Sequence, residues 1–138
     1  MIDVVCDTSI VLKWFHEEGE KEVEDARGLL EAHRAGRLTA WILELTFYEL
    51  ANVLLRSLAW RGPEVADQLD DLRAIAPVAA VDADALRRAA ELSETHELTC
   101  YDALYAATAQ LRGAALATAD DALLGSGLGV RAGALVQA

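Results

Sequence analysis

Four short segments place an acid where a solvent-facing charge is not expected: VVCDTSI (Asp7), TFYELANVL (Glu49), LTCYDALYAA (Asp102) and LATADDALL (Asp120). Taken singly, each has an ordinary structural role. Asp7, Asp102 and Asp120 read as helix caps, worth about 1 kcal/mol apiece, and Glu49 reads as the polar edge of an amphipathic helix. Taken together they make four semi-buried acids with Lys13 as the only nearby base in sequence. If the four converge, mutual repulsion raises their pKa values unless cations neutralise them. Carboxylates without His or Cys select hard, oxygen-seeking ions such as Mg²⁺ or Mn²⁺.

The elements that must position these acids alternate between strand-like and helical patterns. Ile2–Cys6 reads as a strand, β-branched and apolar except for Asp3. Asp7-Thr8-Ser9 then marks its end and a helix N-cap, because Val11, Leu12 and Trp14 resume an apolar pattern. In open parallel sheets ligands gather beyond the carboxyl ends of strands, so Asp7 stands where chemistry is usually found. Residues 20–35 predict a charged helix closed by Gly36, and residues 38–40 a short strand. Leu43, Phe47, Leu50, Leu54 and Leu58 recur at helical steps as one apolar face. Pro63 opens a helix to residue 74. Residues 78–81 form a third strand, 82–96 a helix capped by Asp82 or Asp84, and 101–111 another helix. A fourth strand at 114–117 is followed by a helical turn at 120–124 and a weak edge strand near Val130. Strands separated by helices predict an α/β protein, a three-layer α/β/α sandwich around a central parallel sheet.

The chain reads as one domain spanning residues 1–138, long enough to bury a core without metal or disulfide support. No apolar run reaches the length of a bilayer span and no signal-peptide pattern is present, so a cytoplasmic location is expected. Cys6 and Cys100 are too few for a zinc cluster or a disulfide framework and read as reduced side chains. The formal net charge of −11 speaks against a surface that grips nucleic acid through phosphates everywhere, and it suits a cation ligand or a basic protein partner.

From VVCDTSIVLKWF through YELANVLLR to LTCYDALYAATAQLRGAALATADDALL, the chain resembles PIN-domain proteins, and more narrowly the VapC-type toxins of toxin–antitoxin pairs. The resemblance runs nearly end to end, and the family's acidic quartet falls on Asp7, Glu49, Asp102 and Asp120. Thr8, Ser9, Asn52 and Thr118 match polar positions that line the same site. The resemblance implies an endoribonuclease dependent on one or two Mg²⁺ or Mn²⁺ ions, cutting structured RNA such as tRNA or rRNA. It also implies a VapB-type antitoxin as inhibitor, and commonly a homodimer.

On that reading Asp7 is the most central ligand, Asp102 and Glu49 complete the tighter site, and Asp120 holds a weaker second ion or orients water. Lys13, Arg56, Arg61 and Arg112, near the motifs in sequence, are the candidates for gripping RNA. Trp14, Trp41, Trp60 and Phe47 are candidates either for an antitoxin groove or for plain core. His16, His33 and His96 lack ligand spacing and read as surface residues. Two rivals remain: a PIN nuclease of RNA processing or repair, and a non-catalytic module whose acids only cap helices.

Overall fold

The computed structural model describes residues 2–136. Its sheet has four parallel strands, β1 (Ile2–Cys6), β2 (Leu38–Leu43), β3 (Val78–Ala79) and β4 (Ala115–Ala117), in the order β3-β2-β1-β4. Because successive side chains point to opposite faces, Val4 and Cys6 enter one core and Val5 the other. The first core is closed by helices α1 (Thr8–Phe15), α2 (Val23–Arg34), α3 (Glu44–Asn52) and α4 (Gly62–Ile75). The second is closed by α5 (Ala83–His96), α6 (Cys100–Leu111) and α7 (Asp121–Ser126). A last short helix, α8 (Ala132–Val136), packs its Ala132 on the first core. The expected three layers and parallel sheet are therefore present.

Several boundaries move, each for a tertiary reason. β2 runs to Leu43 because it is paired on both sides, with β1 through Val5–Trp41 and with β3 through Leu43–Ala79. Leu43 thus ends a strand rather than opening the helical stripe, whose Phe47, Leu50 and Leu54 are buried as the spacing predicts. The stripe continues past α3 as a π-helical turn, Val53–Ser57. The charged helix begins only at Val23, after Glu22 in a left-handed conformation at φ 57°. β3 shrinks to two residues. The edge strand near Val130 is a single parallel bridge to Ala117.

Trp14 and Phe47 are core residues: the Trp14 indole N–H donates to the Ala26 carbonyl at 2.9 Å, and Arg73 stacks on Phe47. Trp60 packs partly buried against the same core. His33 is not a surface residue. Its Nδ1 accepts from the Ala40 N–H at 3.1 Å, so Nε2 carries the proton donated to the Ile75 carbonyl at 2.9 Å, tying α2 to β2 and α4. Both cysteines are free, Cys6 buried and Cys100 exposed, and burial pushes the Cys6 thiol up and keeps it inert. Among the described residues no helix is long and apolar enough to cross a membrane.

Candidate functional site

The strand order places β1 between β2, which follows it in the chain, and β4, which returns last. The crevice beyond β1 and β4 is therefore the point where the winding reverses, the usual ligand site of such sheets. Asp7 leaves β1 with its N–H still donating to the Ala117 carbonyl of β4, at 3.2 Å. Its carboxylate caps α1, accepting from the Ile10 N–H at 3.3 Å. Capping and placement in the crevice are one geometry, not alternatives.

Asp7 is only 4% exposed. Ser9 Oγ donates to its Oδ1 and Thr118 Oγ1 to its Oδ2. Both hydroxyls are themselves aimed by backbone just past β4, since the Ala119 N–H donates to Ser9 at 2.8 Å and the Asp120 N–H to Thr118 at 2.9 Å. Burial pushes the Asp7 carboxyl up to about 6; these three donors oppose the rise, and the charge of Asp102 adds to it. Thr118, fully buried, is thus the joint between the first and last strands.

Asp120 caps α7, accepting from the Leu123 N–H at 3.0 Å. Asp102 does not cap its helix, contrary to the sequence-based alternative. Thr99 does, its hydroxyl accepting from the Asp102 N–H at 3.1 Å in the first turn of α6. Burial raises the pKa of Asp102, and the charges of Asp120 and Glu49 raise it further. Asp102 is therefore the acid that feels all three others, and electrostatic coupling in the site centres on it rather than on Asp7.

Glu49 is held by a set of hydroxyls that the sequence reading did not contain in full. Thr8 Oγ1 and Tyr105 Oη each donate to Glu49 Oε1 at 2.7 Å. Tyr105, 1% exposed, also stands 2.9 Å from Thr8 and 3.0 Å from Thr46, and Thr46 accepts from the Leu43 N–H at 3.0 Å. A directional chain from Leu43 N–H through Thr46 and Tyr105 ends on Glu49. The signal for Tyr105 was its place one helical turn after Asp102, a polar-tipped aromatic on an otherwise apolar face. Asn52 is exposed and lines an open cavity of about 360 Å³ with Leu45, Tyr48, Glu49 and Tyr101.

Among the described residues none of the four acids has a lysine, arginine or histidine within ion-pair distance. Nor do three or more His, Cys, Asp or Glu side chains there form a ready-made set that could hold a metal. Hard oxygen donors carrying uncompensated, mutually repelling charge fit a hydrated divalent ion. Mg²⁺ in particular keeps several waters and takes only one or two carboxylates directly, with substrate phosphate completing its shell.

The four predicted basic residues lie on different elements. Lys13 is buried and paired with Glu20 at 3.0 Å. Arg112 stacks over Trp41 at 3.8 Å, about 15 Å along α6 from Asp102. Arg56 and Arg61 are exposed, on the π-helical turn and at the cap of α4. Lys21 and Arg131, unmarked by any local motif, border a second cavity that also touches Lys13, Ala119 and Asp121.

An open α/β fold with an acidic crevice at its switch point is thereby defined. The PIN-domain family profile matches residues 4–124, and the chain belongs to that family. PIN domains are generally nucleases that use divalent metals. Among solved structures the chain is similar to PAE2754 from Pyrobaculum aerophilum, with 23% identity and a TM-score of 0.70, covering 99% of this chain and 95% of that one. It is also similar to the sarcin–ricin loop cleaving toxin VapC20 of Mycobacterium tuberculosis (18% identity, 90% and 95% coverage, TM-score 0.70). A third likeness is to the VapBC2 structure from Rickettsia felis bound to a fragment of promoter DNA (17% identity, 94% and 97% coverage, TM-score 0.72). No sequence among curated proteins matches the chain.

Proposed function

We propose that the protein is a metal-dependent endoribonuclease toxin of the VapC type, which cleaves structured cellular RNA such as tRNA or rRNA and is inhibited by a cognate VapB-type antitoxin. What supports this reading is the electrostatic coupling of Asp102 to Asp7, Glu49 and Asp120, with no lysine, arginine or histidine among the described residues paired to any of the four. The solved toxin and toxin–antitoxin structures of the same fold support it.

In this reading the four acids would hold the ion or ions, Asp7 most centrally with Asp102 and Glu49, and Asp120 would hold a weaker second ion or orient water. A bound divalent ion supplies activated water and offsets charge at the phosphate. Ser9 and Thr118 keep the Asp7 carboxylate aimed into the crevice, and Thr8 and Tyr105 do the same for Glu49. Fixing these groups before substrate arrives removes a reorganisation cost from the reaction. None of the three histidines bonds to an acid of the site, and His33 is committed to backbone groups elsewhere. The attacking group is therefore water rather than the ribose 2′-hydroxyl, and the new end carries a 5′-phosphate. The protein works in the cytoplasm, as a homodimer.

Inducible expression of wild type and Asp102→Asn, with mapping of RNA 5′ ends, tests this. Growth arrest and new 5′-phosphate ends are expected with wild type alone, relieved by the co-expressed neighbouring antitoxin. Arrest by both proteins, or ends bearing 2′,3′-cyclic phosphate upstream of the cut, would contradict it.

A further inference from the structure

The connection between α1 and α2, residues 16–22, folds back over a cavity of about 360 Å³. Three cations line it, Lys13, Lys21 and Arg131, in a protein whose net charge is −11. The cavity also touches Ala119 and Asp121, the neighbours of Asp120 in the chain, so it adjoins the acidic crevice. This is where positive charge meets a site otherwise made of acids.

Two of the cations are occupied by glutamates of the connection itself. Lys13 is only 5% exposed, and its ammonium pairs with Glu20 at 3.0 Å. Arg131 reaches both oxygens of Glu22, at 3.2 and 3.1 Å. Glu22 holds this position with φ at 57°, the left-handed region that a residue with a Cβ avoids. A lysine this buried requires an anion beside it, and the Arg131 group that grips a carboxylate also accepts a phosphate. With both glutamates displaced, the lining carries three cations against Asp121 alone.

We propose that this cavity is the subsite for a backbone phosphate of the nucleic acid adjacent to the one being cut, and that Glu20 and Glu22 occupy it in the free protein as internal stand-ins for that phosphate. The inference rests on the nuclease reading above. A polyanion is favoured over an acidic peptide because the crevice next door repels every anion not bridged by a metal, and a phosphate chain bound there must place further phosphates beside it. The glutamates also explain how a chain this acidic grips RNA selectively. Only a ligand that displaces both gains the cations, so weak non-specific binding is suppressed.

The test is binding rather than cleavage. In an Asp102→Asn background at constant Mg²⁺, a fluorescent single-stranded RNA decamer is titrated by anisotropy over a series of salt concentrations, with folding checked by thermal unfolding. E20Q/E22Q is expected to tighten binding about threefold to tenfold by removing the competing anions. R131Q, at a half-exposed side chain, is expected to weaken it and to reduce the slope of log K against log salt by about 0.7, one phosphate's worth for a single strand. Unchanged affinity and slope in both variants, in a background that binds RNA and whose wild type cuts it, would overturn the subsite and leave the nuclease reading standing. A background that binds no RNA, with a wild type that cuts none, would remove both. A poly-glutamate peptide that binds with the same dependence on Arg131, while the RNA does not, would assign the cavity to a protein partner and overturn the proposal.

Discussion

The two walls of the acidic crevice are built on different principles. On the β1–β4 side, Asp7 is buried and every oxygen of its carboxylate is engaged, by Ser9, Thr118 and the Ile10 N–H. On the α6 side, Asp102 is half-buried, its helix is capped by Thr99 instead, and its pKa is raised by the neighbouring acids as well as by burial. Asp7 belongs to the fold and the site at once, whereas Asp102 answers mainly to the site. Substitutions on the two walls should therefore separate stability from chemistry.

The largest stability effect is expected at Asp7, without divalent ions. Its folded carboxyl titrates at about 6 against about 3.9 in an unfolded chain. The folded state thus binds this proton more tightly, so the stabilisation is complete below about pH 4 and is lost as pH rises through about 6, amounting to about 3 kcal/mol. Urea unfolding in EDTA across this range should show that loss in wild type and a flatter profile in Asp7→Asn, while Asp102→Asn keeps most of the wild-type slope. Identical slopes in wild type and Asp7→Asn would mean that Asp7 is not the buried acid described here. Added Mg²⁺ should restore stability to wild type at neutral pH and much less to either variant.

The next effect concerns the joint behind Asp7. A Cβ at Gly129 would stand 2.5 Å from the Thr118 Cγ2 atom, whereas one at Gly125 would meet nothing within 4 Å. Gly129→Ala should cost about 2 kcal/mol by overpacking and also lower cleavage by tilting the hydroxyl that holds Asp7. Gly125→Ala, inside a helix, should be neutral or slightly stabilising. Thermal melts of the pair beside cleavage rates check this, and equal behaviour of the two variants would show that Thr118 has room to move.

The smallest effect is predicted at the support of Glu49. Tyr105→Phe removes the hydroxyl shared by Glu49, Thr8 and Thr46 while keeping the ring, and should cost about 1 kcal/mol. Cleavage should fall by less than with Asp102→Asn, because Thr8 still holds Glu49. A cleavage loss as deep as that of Asp102→Asn would make Tyr105 a participant rather than a positioning residue.

Reading the chain in advance worked where one short segment carries the whole signal. β1, the Asp82 and Asp120 caps, and the buried Phe47–Leu50–Leu54 stripe are all local patterns. It failed where a partner far away in sequence decides the outcome. Leu43 is a strand residue because β1 and β3 bracket β2, and His33 is bridged because Ala40 and Ile75 come to it. The pairing of Lys13 with Glu20 was likewise not legible, because nothing in VLKWF announces that Glu20 folds back onto it. Tyr105 escaped notice because its partners lie 97, 59 and 56 positions away.

By itself the sequence determined the alternation of strands and helices, since this follows from periodicity and caps read within a dozen residues, and it singled out four acids set among apolar residues or just past strands. Only the tertiary structure decided that β4 returns beside β1, and with it that Thr118 grips Asp7 and that Asp102 lies within electrostatic reach of the other three. The reason is physical: burial, ion pairing and carboxylate repulsion depend on distances through space, and these exist only once the sheet has closed.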